Sequence, residues 1–277
     1  MKHTMQGQTV RNWRKATTIA VALLLTLFTL AACVFPIQAP TPEPAAASTT
    51  ADAPAALDPQ QAYAAALQDA KVAEPEEVFD GLTAIIADNT ALTWQPETER
   101  VLVSTWTSWN GYDTQVGKEI PLTREIWVTA VPQLQGFCQT YAATAETPLT
   151  LRLEQLLGLP PNNGKTRVVE MWVNPADLFR PSPDGEVDDT VAELELPGPE
   201  RFASQQDYEF HRDWYNLQLS IDDYDNPAKG YPWTRLGYTY DWGNPASEVG
   251  LSEFVITAGA TIKIENVYET TAYCTQY

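Results

Sequence analysis

The distribution of hydrophobic and polar positions divides the chain into three stretches. An uncharged, leucine-dense run from Ala16 to Ala32 follows a basic segment that holds Arg11, Arg14 and Lys15. From Val34 to Leu57 the sequence is rich in Pro, Ala and Thr and has no period of either helix or strand. From Asp58 to Tyr277 periodic segments alternate with turn residues, as in a folded domain. Asp58 and Pro59 open a helix to about Ala70, because an aspartate side chain accepts from free N–H groups and proline has none to satisfy in the first turn. After Pro75, the apolar positions Val78, Leu82, Ile85 and Ile86 predict a second helical stretch.

The pattern then changes to strands. Arg100 to Ser108 and Glu125 to Val131 are β-branched and aromatic, with Asn110-Gly111 marking a connection between them. Pro132 starts a short helix that carries Cys138. Pro148 to Leu157 reads as a helix stopped by Gly158, before a break made by Pro160, Pro161 and Asn162-Asn163-Gly164. Thr166 to Val173 is a further strand, and residues 174–203, full of prolines and carboxylates, read as irregular. Ser204 caps a helix from Gln205 to about Leu219, with Phe210, Trp214 and Leu217 at helical spacing. Arg235 to Trp242, Ser252 to Thr257 and Thr261 to Tyr268 close the chain as strands. Strands and helices without strict alternation predict an α+β fold, a single domain over 58–277 with a mainly antiparallel sheet.

The N-terminal stretch has the order of an export signal: basic, apolar, then small residues. Its last four residues, Leu30-Ala31-Ala32-Cys33, resemble the lipobox of bacterial lipoproteins. The resemblance implies cleavage before Cys33 and lipid attachment at that thiol. Residues 1–32 are then a signal peptide and 33–57 a Pro/Ala/Thr-rich tether. The domain sits outside the cytoplasm, anchored to the cell membrane or outer membrane. An uncleaved span is the competing reading; at 17 residues, Ala16–Ala32 is at the short end for crossing a bilayer, and it too would leave the domain outside.

Charge and residue counts narrow the chemistry. Removing residues 1–32 takes away four of 17 basic residues and none of 36 acidic ones, which leaves a net charge of −23. Such a field repels nucleic acid and admits a cation, a basic partner or a neutral ligand such as a sugar. Beyond Cys33 the cysteines are Cys138 and Cys274, expected to form a disulfide in an oxidising compartment. His211 is the only histidine beyond the signal, which rules out a multi-histidine metal centre within one chain and would be required by any Ser-His-Asp triad.

Three groups of residues carry candidate chemistry. In the acidic loop, Asp184, Glu186 and Asp188, with Glu195 further on, have alternate spacing that lets a loop wrap Ca2+, although Asp189 stands where a calcium loop needs glycine. The aromatic stretch Trp233, Arg235, Tyr238, Tyr240, Asp241 and Trp242 places three rings on one strand face, a platform for sugar rings with Arg235 and Asp241 for their hydroxyls; the same pattern also describes a buried core. Finally, Glu125, Glu170, Asp241 and Glu253 lie in or near strands and are the carboxylates from which a glycoside-cleaving pair would be drawn. Three functions follow from these readings. The first is an envelope lipoprotein that binds a ligand or protein partner, a glycan among them. The others are a carboxylate-dependent hydrolase of cell-wall or extracellular polysaccharide, and a structural envelope component.

Overall fold

In the computed structural model, which describes residues 58–142, 147–221 and 230–275, the strand segments join in one antiparallel sheet of nine strands. These are β1 (Trp94–Gln95), β2 (Arg100–Thr107), β3 (Glu119–Pro121), β4 (Ile126–Ala130), β5 (Arg167–Val173), β6 (Leu178–Phe179), β7 (Tyr238–Tyr240), β8 (Val249–Ile256) and β9 (Thr261–Glu269). The order across the sheet is β3-β9-β5-β2-β4-β8-β6, with β1 on β2 and β7 on β8. Five α-helices are described: α1 (Pro59–Asp69), α2 (Gln133–Ala142), α3 (Leu149–Leu156), α4 (Gln205–Leu219) and α5 (Thr270–Thr275). Residues 54–277 make one compact unit of the α+β class. The export signal, Cys33 and the tether lie outside the described residues. No described helix is long and apolar enough to cross a membrane.

The two-residue period of the central strands sorts their side chains onto two unlike faces. Val101 and Val103 of β2, Val128 and Ala130 of β4, Val169, Met171 and Val173 of β5, Phe254 and Ile256 of β8, and Ile262 and Ile264 of β9 form the main apolar core. The alternate positions are more varied. Register sets Ser104 opposite both Thr129 and Glu170, Trp106 opposite Val168, and Thr129 opposite Glu253. This second face therefore carries hydroxyls, carboxyls and indoles, and separate groups of elements cover its parts.

Over β2 and β5 lie α2, α3 and α5, where Leu134, Cys138, Leu153, Leu156, Tyr273 and Cys274 pack on Trp106 and Val168. The Cys138–Cys274 disulfide joins α2 to α5 across 136 residues of sequence. Closing so long a loop contributes on the order of 4 kcal/mol by restricting the unfolded chain. Over β6 and β8, Trp214 of α4 and Trp233 pack on Phe179 and Val255.

Local chemistry explains the helix ends that the sequence predicts. Asp58 accepts from the Gln60 N–H, and Ser204 accepts from the Asp207 N–H. Gly158, at φ 61°, turns the chain out of α3. Two expectations fail. The stretch after Pro75 forms only a 3-10 turn over Pro75–Glu77, and residues 78–86 are not helical. Instead the N–H groups of Leu82 and Ile85 donate to the carbonyls of Thr190 and Val187, so an outside segment satisfies the backbone that a helix would have satisfied internally. In α4 the buried residues are His211, Trp214 and Gln218, whereas Phe210 and Leu217 are exposed. Hydrophobicity alone misorients this helix because its inner face meets the polar loop at Ser182 as well as Phe179. Four short elements also escape the sequence pattern: β1 on β2, β3 on β9, β6 on β8 within the stretch read as irregular, and the C-terminal α5 that carries Cys274.

Candidate functional site

Between the two covers of the polar face lies a cleft. Its larger lobe, 340 Å³, is lined by Ser104, Trp106, Trp109, Tyr112, Arg124, Glu125, Trp127, Thr129, Lys165 and Glu253, among others. A second lobe of 260 Å³ extends to Tyr231, Pro232, Trp233 and Tyr240. The lobes share Trp127, Leu157, Leu159, Lys165, Thr239 and Glu253, so they form one continuous recess. Its size suits a ligand of one or a few rings.

The sheet register fixes the floor. Thr129 and Glu253 are cross-strand neighbours on β4 and β8, and Trp127 projects from the same face two residues before Thr129. On the other side of Thr129, its hydroxyl lies 3.2 Å from the Ser104 hydroxyl in a buried hydrogen bond. One wall is the turn after α3. There the Asn163 N–H donates to Glu154 Oε1 and the Lys165 N–H to Asn163 Oδ1, so the backbone carrying Lys165 is pinned to the helix. Thr239 donates to the Leu156 carbonyl at the end of α3. The opposite wall is aromatic: Trp127 packs edge-on to Trp233 with ring centroids 6.3 Å apart and tilted to Trp214 at 6.3 Å.

Glu253 and Lys165 are among the groups in the recess whose side chains make no hydrogen bond or ion pair among the described residues; the Arg124 guanidinium is another. Glu253 is half-buried and lines both lobes, and desolvation raises its carboxyl to about 8. It is therefore mostly protonated at neutral pH and acts as a hydrogen-bond donor. Burial pushes the Lys165 ammonium down from its ordinary value for the same reason. Glu125 is already engaged, accepting from the Trp214 indole at 2.9 Å. It lies one position before Ile126, the partner of Ile256, which puts its Cα about 13 Å from that of Glu253 along the strands.

The other sequence candidates have different places. The aromatic stretch does not form an exposed platform. Trp233, Tyr238 and Trp242 are buried, the Tyr238 hydroxyl donates to the Glu77 carbonyl, and the Tyr240 hydroxyl donates to Asp69. Asp241 is buried in a two-pronged ion pair with Arg152, 2.8 Å on one arm, which ties α3 to β7. Arg235 bonds the Ala70 carbonyl at the end of α1. Burial is the more stable place for large rings in a strand whose polar tips find partners. Of the aromatic and charged candidates in this stretch, Trp233 and Tyr240 reach the recess, at its second lobe. Glu170 is also buried, accepting from Gln135 at 3.0 Å beneath α2, away from the recess floor.

The acidic loop converges, although not through the four residues that alternate spacing selects. Asp184, Glu186, Asp189 and Glu193 place one carboxylate oxygen each within 4.8 Å of one another, whereas Asp188 and Glu195 are exposed and outside the group. Much of that charge is already answered. Arg180, fully buried, reaches Asp189, and Arg201 pairs with Glu186 and Glu193. The neighbouring Asp184 carboxyl and burial raise the Glu193 carboxyl to about 7. His211 packs against this loop and hydrogen-bonds the Ser182 carbonyl at 2.8 Å, and burial lowers its pKa. A side chain at Gly185, φ 72°, would put its Cβ 2.5 Å from the imidazole, so glycine is required there. His211 is a structural residue of this loop.

Sequence reasoning placed Glu125 and Glu253 on strands but had no signal for Lys165 or Trp127 as lining of a recess. Lys165 sits in a turn, and Trp127 reads as one more strand aromatic. Comparison with protein-family models, curated proteins and solved structures finds no match to this chain, so the recess must be read from its own chemistry.

Proposed function

We propose that this chain is a membrane-tethered envelope lipoprotein whose extracytoplasmic domain binds a carbohydrate ring in the recess between Trp127 and Lys165. The observation that carries the reading is the pairing of an indole wall with unspent polar groups. Most indole and carboxyl groups among the described residues are committed to partners, yet the side chains of Trp127, Glu253 and Lys165 face one cavity with no hydrogen bond among the described residues. Sugar rings present an apolar C–H face to an aromatic wall and hydroxyls around their edge, which matches this division. A neutral Glu253 donates to a hydroxyl oxygen, and the Thr129 and Ser104 hydroxyls extend the polar floor.

The test is intrinsic tryptophan fluorescence and thermal shift of the purified chain against a panel of oligosaccharides. A sugar that binds only the folded state raises Tm as RT ln(1 + [L]/Kd). Trp127→Ala should weaken the best sugar at least tenfold, about 1.4 kcal/mol, while the disulfide-linked layer over β2 and β5 keeps its fold. Unaltered affinity in that variant would remove the recess as the site. For the tether, Cys33→Ala should abolish lipid labelling.

A hydrolytic reading has one observation in its favour: Glu253 is a carboxyl kept protonated near neutral pH inside the same recess as Glu125. In that reading Glu253 is the general acid, and Glu125, freed from Trp214, the base. Product analysis after incubation with the bound oligosaccharide separates the two: cleavage lost in Glu253→Gln with binding retained favours hydrolysis, and intact sugar favours binding alone.

A further inference from the structure

The net charge of the chain argues against anionic ligands, but the recess has the opposite local character. Most cationic side chains among the described residues are already paired or bonded: Arg100, Arg152, Arg167, Arg180, Arg201 and Arg212 each face a carboxylate. Lys118 donates to the Thr114 carbonyl and Arg235 to that of Ala70. Among the described residues four cationic side chains, those of Lys71, Arg124, Lys165 and Lys263, enter neither an ion pair nor a hydrogen bond, and of these Arg124 and Lys165 line the larger lobe. Neither carboxylate of the lobe pairs with them: Glu125 accepts from the Trp214 indole through one oxygen, and among the described residues neither it nor Glu253 forms an ion pair with Arg124 or Lys165. The half-buried Lys165 ammonium loses part of its solvation, and no ion pair among the described residues returns it.

From this imbalance we infer that the ring bound in the recess carries a negative charge: the ligand is an acidic sugar, with its anionic group at Lys165 and Arg124. The inference rests on the carbohydrate reading above and narrows it to one class. Lys165, half-buried on a pinned backbone, supplies the charge-assisted hydrogen bond, and exposed Arg124 beside Tyr112 supplies the entry-side cation. The distant carboxylates that give the chain its net charge act across water and are screened over about 8 Å at physiological salt, whereas these two cations act at contact.

The experiment compares D-glucuronate, its neutral methyl ester and D-glucose by fluorescence titration and calorimetry, on the purified chain and on Lys165→Met and Arg124→Gln. Glucuronate should bind at least tenfold more tightly than either neutral ring, and the preference should vanish in Lys165→Met and fall in Arg124→Gln. Lys165→Met removes a buried charge, so an unchanged or higher Tm shows that its loss of preference is not unfolding. Equal affinity for all three sugars would overturn the acidic-ligand inference and leave the carbohydrate reading standing. No binding by any of the three, nor by the wider oligosaccharide panel, would overturn both. A glucuronate preference that survives in the double variant would overturn the assignment to these two residues.

Discussion

The two faces of the central sheet are built from the same strands, yet they do opposite things. One face is apolar throughout, with Val101, Val103, Val169, Met171, Phe254 and Ile262 all without accessible surface. The other carries Ser104, Trp106, Glu125, Trp127, Thr129, Glu170 and Glu253. Where α2 and α5 cover that second face, polar groups find partners: Gln135 donates to Glu170, and the Trp106 indole donates to Thr270 at 2.8 Å. Where neither α3 nor α4 reaches across, Trp127, Glu253 and Lys165 keep their chemistry free. A fold uses a satisfied polar face for rigidity and leaves an unsatisfied one where a ligand can complete it.

This contrast can be broken from either side. The largest effect is expected on the apolar face. Phe254→Ala should cost about 3–5 kcal/mol and lower Tm by on the order of 10 °C, read by calorimetry, because the cavity cannot collapse under neighbouring strands. A loss under 1 kcal/mol would mean that this face is not the principal core.

Glu253→Gln on the polar face should act oppositely and depend on pH. The folded carboxyl titrates at about 8 and its ordinary value is 4.5, so the native state holds a proton that the unfolded state has released. The contribution of Glu253 is thus greatest at acid pH and declines as pH rises from about 4.5 to 8, at about 1.4 kcal/mol per unit of displacement. Glu193, raised to about 7, adds a decline of the same sign that ends nearer neutrality. Thermal scans should show Tm falling between pH 5 and 8 in the unmodified chain. At pH 8 and above Glu253→Gln should be the more stable protein, and a parallel pair of curves would refute the buried, unpartnered state of this carboxyl.

The smallest effect belongs to Trp109, which is 50% exposed at the edge of the larger lobe. Trp109→Ala should change stability by under about 0.5 kcal/mol while weakening sugar binding, a separation that titration and thermal shift together can read.

How far the sequence carried can be seen at particular residues. Ser204 and Asp58 announced their helices because capping is a local bargain between one side chain and the next few N–H groups. Strands β2, β4 and β5 were legible from their β-branched runs, and the Cys138–Cys274 link from the count of cysteines and the implied compartment. Local spacing misled between Val78 and Ile86, where hydrogen bonds to Val187 and Thr190, a hundred residues on, took the place of helical ones. It misled again over Asp188 and Glu195, because convergence of carboxylates depended on how the loop folded around Arg180 and His211.

What the sequence determined by itself is therefore the fold class, the central strands, most helix boundaries, the disulfide and the strongly acidic charge. All of these follow from interactions between near neighbours, from composition, or from a period that survives in any folded context. Only tertiary structure decided which face of each strand met a covering helix, that Asp241 went to Arg152, and that the side chains of Trp127, Lys165 and Glu253 came to line one recess with no hydrogen bond among the described residues. Those outcomes depend on contacts between segments scores of residues apart, and the free energy of burying or pairing a group is fixed by the neighbours that the whole fold brings to it.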